Sequence, residues 1–231
     1  FCYVKQQDLL ATPRLRVPRG VSLAFCGGMF LAMAAVLSVL GCLRYAAYVT
    51  PNFDFGIFCQ MFHNMSETGL PLTTCERNEL LSHFAVHISP IYYLMLPFYA
   101  VFPSPITLQI GQAVVVASGM IPLYLLTKRF SLSNKTTLAV LFVYAAHPML
   151  TAGCFYDLHE NCFLAPLLLW LFWCYESGHT RWMFLPLALI LLVKEDAAVY
   201  VAMFAIYIFF GKNDKKRGML LFALAAVYFA A

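Results

Sequence analysis

The chain is a succession of apolar runs separated by short polar spacers. Residues 21–49 form the first run, with Arg44 its only charge. At 1.5 Å per helical residue it is long enough for a ~30 Å hydrocarbon core. Residues 50–87 are the longest polar stretch. Residues 88–102 are apolar again, but Pro90 and Pro97 interrupt them and Pro103-Ser104-Pro105 closes them. Residues 106–126 form a second clear span that ends at Lys128-Arg129. Further apolar runs follow at 137–150, 163–175, 183–193, 197–210 and from Met219 onward. The pattern predicts an all-α, polytopic transmembrane bundle of about seven spans. It forms a single transmembrane domain over residues 1–231, with residues 50–105 a first outer loop of amphipathic and re-entrant segments. A start at Phe1 and an end inside an apolar run predict a fragment of a longer chain.

Composition agrees with a membrane setting. Hydrophobic residues make up 62% of the chain and charged ones 11%, against roughly 25% charged in soluble domains. A soluble fold has no place for that much apolar surface, whereas lipid does. The basic residues are few and scattered between apolar runs, which excludes a nucleic-acid surface. The first apolar run is too long for a signal peptide. No C-x-x-C spacing occurs among the eight cysteines, so a zinc or thioredoxin-type site has no support. Cys59 and Cys75 share one loop and are a candidate disulfide.

Charge sets the expected orientation. If residues 88–102 do not cross, Lys5, Arg14, Arg16, Arg19, Lys128, Arg129, Lys135, Arg181, Lys212, Lys215, Lys216 and Arg217 share one side. Arg44, Arg77 and Lys194 are then left on the other. That bias makes the first side cytoplasmic, including the N-terminus, and makes residues 88–102 re-entrant or interfacial. Asp54, Glu67, Glu76, Glu79, Asp157, Glu160, Glu195 and Asp196 then all face outward. Three outer loops bringing carboxylates to one side of the cell membrane predict a shared outward cavity.

Four constellations carry candidate chemistry. Phe55, Phe58, Phe62 and Met65 recur at helical spacing with Asp54, Gln60, His63 and Asn64 elsewhere on the wheel. They predict an amphipathic helix lying in the membrane interface, with Asn52 as N-cap. Asp54 in its first turn either complements the helix dipole or acts chemically. Asp157-Leu158-His159-Glu160 places two carboxylates at i, i+3 beside an imidazole, a set suited to acid–base work or a hard cation. Lys194-Glu195-Asp196 interrupts residues 182–210, which as one helix would be ~43 Å long. The charges therefore turn in a recess below the outer surface, where ionisable groups face a cavity or a partner. His83 and His87 stand at i, i+4 without the glutamate of a zinc protease and read as interfacial polar residues. Asn64-Met65-Ser66 fits the N-glycosylation pattern. Tyr92, Tyr93, Tyr99, Trp170, Trp173 and Trp182 suit bilayer anchoring.

Several blocks resemble a prokaryotic membrane family called domain of unknown function 2079. Asn52-Phe53-Asp54-Phe55-Gly56-Ile57-Phe58 is similar to its "DLGIF" signature. The likeness continues through His83-Phe84 and His87-Ile88-Ser89-Pro90, then Phe102-Pro103-Ser104-Pro105-Ile106-Thr107-Leu108. It returns at Phe155-Tyr156-Asp157-Leu158-His159-Glu160 and at Leu192-Val193-Lys194-Glu195-Asp196-Ala197. Phe55 stands where leucine is usual and Leu158 where phenylalanine is common, and neither changes a polar group. The layout also looks like that of GT-C glycosyltransferases, whose first outer loop carries an early catalytic or metal-binding acid. This is an analogy of fold.

The resemblance implies a membrane glycosyltransferase that takes a sugar from a polyprenyl-phosphate donor at the outer face. Asp54 would be catalytic, as base or metal ligand. Asp157, His159, Glu160, Lys194, Glu195, Asp196 and Arg44 would bind substrate, with Lys194 and Arg44 toward phosphate. A divalent cation is a candidate cofactor, with Asp54, Asp157 and Glu160 its candidate ligands. Expected partners are membrane lipid and the lipid-linked donor, with no nucleic acid. An ion-coupled transporter using Lys194, Glu195 and Asp196 as a relay is the rival reading. A non-catalytic membrane scaffold is the third.

Overall fold

The computed structural model describes residues 19–50, 52–156 and 158–230. Asp157, the Asn52 side chain as N-cap, Cys2 and the basic Lys5, Arg14, Arg16 and Arg19 side chains fall outside what is described.

The elements run α1 (Arg19–Ala46), α2 (Asn52–Thr68), a small β1–β2 ladder (Leu72–Thr73 and Leu81–Ser82) and α3 (Leu96–Val101). Then come α4 (Pro105–Ser118), α5 (Met120–Arg129), α6 (Asn134–Ala146) and α7 (Pro148–Thr151). The chain closes with α8 (Leu164–Glu176), α9 (Phe184–Leu191), α10 (Ala198–Ile206) and α11 (Lys215–Ala230). The fold is overwhelmingly helical, as the apolar pattern predicts.

Among the described residues two helical stretches are long and apolar enough to cross a membrane, Gly20–Ala46 and Pro105–Arg129. The pair formed by Asn134–Ala146 and Pro148–Phe155, bent by 48°, makes a third if counted as one span. The other apolar runs fold into shorter helices. At 8 residues α9 is ~12 Å long, well below the ~30 Å hydrocarbon core.

Local chemistry explains the breaks. The α6–α7 bend falls at His147, held extended (ψ 118°) by the proline that follows it. The α4–α5 join falls at Gly119. There the Tyr144 hydroxyl, reaching from α6, donates to the Val116 carbonyl at 2.7 Å, and Pro122 has no N–H for the turn before it.

Two apolar cores hold the bundle. One joins α1, α4, α5 and α6 through Met33, Leu37, Ala113, Val116, Met120 and Leu141. A Cβ at Gly41 would stand 2.9 Å from Gln109 Oε1, so this glycine allows α1 to approach α4. The far face of α1 carries Leu23, Leu31, Val39 and Leu43, each more than half exposed, which is a surface for lipid rather than water. The second core joins α2, the α3 region and α8–α11, centred on Phe62, Tyr92, Leu171, Ile190, Val201 and Phe204.

The apolar stripe of α2 packs on protein rather than facing lipid. Phe55, Phe58, Phe62 and Met65 are buried inside the protein. Phe62 packs on Tyr92 and Tyr99 with ring centroids 5.7 and 5.5 Å apart. Tyr92 is therefore a core residue, 0% exposed, and not a bilayer anchor. Residues 88–102 fold as a 3-10 turn (Pro90–Leu94) followed by α3, tied to the end of α9 by Ile91 N–H donating to Leu192 O at 2.9 Å.

The β1–β2 ladder, pairing Leu72 with Ser82 and Thr73 with Leu81, was not expected. Gln60 of α2 pins it: Oε1 accepts from Thr74 N–H at 2.8 Å and Thr73 Oγ1 at 3.0 Å, and Nε2 donates to Thr74 Oγ1 at 2.8 Å. Asn64 lies inside α2 with Nδ2 donating to Leu72 O at 2.8 Å, so the glycosylation pattern is occupied structurally. Cys59 and Cys75 are both free thiols.

Candidate functional site

A cleft of about 360 Å³ is lined by the start of α2 (Phe53, Asp54), the loop at Glu76-Arg77, the segment from His83 to His87, and Tyr156 with His159. Four separate stretches of chain thus contribute to one wall. Arg77 supplies a guanidinium to it.

Asp54 occupies the first turn of α2, where the helix dipole favours a negative charge. Its Oδ2 accepts from the Tyr156 hydroxyl at 3.0 Å. This bond joins the first outer loop to the segment after α7.

Among the described residues Glu160 is the most deeply buried carboxylate, 2% exposed. Its Oε2 accepts from the Tyr92 hydroxyl at 2.8 Å and lies 3.3 Å from His159 Nδ1. Lys194 Nζ stands 3.1 Å from Oε1, close enough for strong attraction though off the angle of a hydrogen bond. Burial pushes the Glu160 carboxyl up. The His159 charge, the Tyr92 hydroxyl, its own backbone N–H and the Lys194 ammonium outweigh this and hold it below the usual 4.5.

His159 belongs both to the cleft and to this buried pair. Its backbone N–H donates to Gln112 Oε1 of α4 at 2.9 Å, while Gln112 Nε2 donates to Gly153 O at 3.3 Å. One glutamine therefore fixes the segment that carries Tyr156 and His159. His159 Nδ1 is also 3.4 Å from the Asn161 N–H. Its protonation decides which neighbour it serves: a bare nitrogen accepts from Asn161, a protonated one donates to Glu160.

Lys194-Glu195-Asp196 separates α9 from α10. Lys194 is extended (φ −166°, ψ 160°) and the next residues form a 3-10 turn. Glu195 accepts from Ile88 N–H at 3.1 Å, and its Oε1 lies 3.1 Å from His87 Nδ1. Burial pushes the Glu195 carboxyl up, but backbone N–H groups and His87 together outweigh it and hold it below its usual value. Asp196 is exposed. Arg44 donates to Val49 O at 3.2 Å at the end of α1 and does not line the cleft.

Glu160 and Lys194 are thus brought together, Asp54 and His159 share the cleft, and Glu195 ties the Lys194 turn to His87. Glu76, His83, Tyr92, Gln112 and Tyr156 join the site without having been singled out as site residues. His83 and Tyr156 fall within the motif blocks quoted above; Tyr92 and Gln112 carry no sequence signal. Among the described residues no group of three His, Cys, Asp or Glu side chains is arranged to hold a metal ion.

The motif blocks and the site fall within one matched region. A family model described as "Predicted membrane protein (DUF2079)" covers residues 44–231. The chain belongs to the DUF2079 family. The DUF2079 match takes in every residue of the cleft and of the Glu160–Lys194 pair, and it begins at Arg44. No curated protein and no solved structure matches the chain.

Proposed function

We propose that this DUF2079 protein is a membrane glycosyltransferase of GT-C-like layout, acting on a polyprenyl-phosphate sugar at the outer face of the membrane. The supporting observation is convergence. Asp54, Tyr156, His159 and His87, drawn from segments far apart in sequence, line one cleft at the helix ends, and the buried Glu160–Lys194 pair braces the segments behind it.

In this reading Asp54 engages the acceptor hydroxyl. Tyr156 holds the carboxylate in place. Arg77 on the cleft wall supplies positive charge for the donor phosphate, with Lys194 and Arg44 as further cationic candidates. Glu195 and Asp196 contact sugar hydroxyls or orient Lys194. An outward-facing site fits the charge bias, which puts the α5–α6 and α10–α11 turns on the cytoplasmic side. No step is routed through a metal, since Glu160, a candidate ligand, already faces an ammonium.

The test is turnover of a polyprenyl-phosphate sugar by the full-length protein in lipid nanodiscs. Asp54→Asn should lower transfer by about 100-fold or more while leaving the folded protein intact. Full activity in that variant would remove Asp54 from the chemistry.

The transporter reading draws on one observation of its own: Glu160, Lys194 and Tyr92 form a largely buried polar chain that reaches the partly exposed His159, a feature of proton relays. Proteoliposomes separate the two. Proton-coupled flux without sugar transfer favours the carrier, and transfer without flux favours the enzyme.

A further inference from the structure

His83 is the most enclosed titratable group on the cleft wall, with 2% of its surface exposed. It opens the 3-10 turn His83–Ala85, which Ser82 caps by accepting from Phe84 N–H at 3.2 Å. Phe58 packs edge-on at 5.5 Å between ring centroids, and the Tyr92 ring lies 6.5 Å away. Nδ1 stands 3.0 Å from Glu76 Oε1, whose side chain is 9% exposed. Nε2 is buried and has no partner.

A carboxylate beside Nδ1 favours a hydrogen on that nitrogen, which in the corresponding tautomer leaves Nε2 as the ring's acceptor. Buried polar atoms are nearly always satisfied, and one that is not calls for a ligand or a water. The ring lines a cleft that also holds His87, whose ring centroid is 6.2 Å away, together with Asp54, Glu76, Arg77 and His159. A carboxylate that orients an imidazole whose second nitrogen is left vacant is the arrangement of a general base.

We propose that His83 Nε2 is the proton acceptor of the cleft for a hydroxyl-bearing sugar, with Glu76 as its positioning residue. The inference rests on the glycosyl-transfer reading and adds the destination of the proton. The acceptor oxygen bonds to the anomeric carbon of the donor as the bond from that carbon to the phosphate oxygen breaks. The electron pair leaves with the polyprenyl phosphate. The hydroxyl proton passes to Nε2, and Glu76 balances the imidazolium that results. Asp54, with Oδ2 already accepting from Tyr156, holds the acceptor in place.

The test uses the full-length protein in nanodiscs with ¹⁵N-labelled histidine, and methyl glucoside as the hydroxyl probe. At neutral pH the His83 resonance, assigned by its loss in His83→Gln, should show Nδ1 protonated and Nε2 bare. Adding the probe should shift Nε2. Glu76→Leu, which keeps the side-chain bulk but offers no acceptor, should abolish the tautomer preference and move the acid limb of the transfer pH profile to lower pH. A His83 that carries its proton on Nε2 and ignores the probe overturns the proposal, and so does a Glu76→Leu variant with unaltered tautomer. If wild-type protein shows the probe shift yet transfers no sugar, the hydroxyl site stands and the transferase reading falls.

Discussion

Lys194 and Glu160 lie in different polar interruptions of the chain, yet their charged atoms stand 3.1 Å apart, with Glu160 nearly sealed from solvent. The pair fastens the α9–α10 turn to the start of α8. Removing the ammonium strands a buried carboxylate, so Lys194→Met should lower stability by about 3–5 kcal/mol. The double variant Glu160→Gln/Lys194→Met should recover most of that loss. Reversible unfolding of the nanodisc-embedded protein measures both. Equal stability of the single and double variants would refute the pairing.

The same carboxyl makes stability depend on acid. Its folded pKa lies below the usual 4.5. A depressed acid stabilises the fold above its unfolded pKa and loses that contribution as pH falls through the lower folded value. Melting temperature should therefore drop on acidification below about pH 4.5, less steeply in Glu160→Gln. Glu195, with its side chain 46% exposed, is screened by solvent, and Glu195→Gln should follow the wild-type curve closely.

Tyr156→Phe removes only the hydroxyl that donates to Asp54. Tyr156 is more than half exposed, so melting should change by no more than about 0.5 kcal/mol in stability. A hydrogen bond to a charged group is worth about 1.5–3 kcal/mol. Transfer should thus fall roughly 10- to 100-fold, chiefly in kcat. A loss confined to KM would place the bond in ground-state binding instead.

Gly119→Ala tests the break in the second span. A Cβ there collides with the Tyr144 hydroxyl and stands 2.8 Å from its ring carbon Cζ. The variant should cost about 1–3 kcal/mol through overpacking. In a Tyr144→Ala background the same change should cost much less, giving a clear coupling energy in a double-mutant cycle. Additive losses would mean that the helix absorbs the methyl by other routes.

The helices were legible because apolar runs and prolines are local signals. The ends of α1, α8 and α11 fall close to the ends of the runs that predict them. The stripe of Phe55, Phe58, Phe62 and Met65 was legible as a helix face but not by its destination, because periodicity says that a face is apolar without naming what covers it. Tyr92 was unreadable for a similar cause: an interfacial tyrosine and a core tyrosine with a buried partner look alike in sequence. The β1–β2 ladder has strands of two residues each, too short to leave an alternating pattern. Glu76 and His83 form their contact across the ladder, so their pairing depends on a turn that sequence reasoning did not foresee.

The helix α8 is anchored by carboxylates at both extremities. Glu160, in the turn that leads into it, meets Lys194, and Glu176 at its far end meets Lys212 at 2.8 Å. The two lysines flank α10, Lys194 before it and Lys212 after it. Such doubly moored parts move as one block, like a strut bolted at each foot. Any breathing of the cleft must therefore take place along the seam where this block abuts the α1–α4–α5–α6 half. Polar links cross near that seam at the Asp54–Tyr156 bond, at the grip of Gln112 on the His159 backbone, and where Arg129 Nε of α5 donates to Glu176 O of α8 at 2.6 Å. They act as latches on a sliding joint, so the width of the doorway offered to a bulky ligand answers to these hydrogen-bonding contacts as well as to the helices themselves.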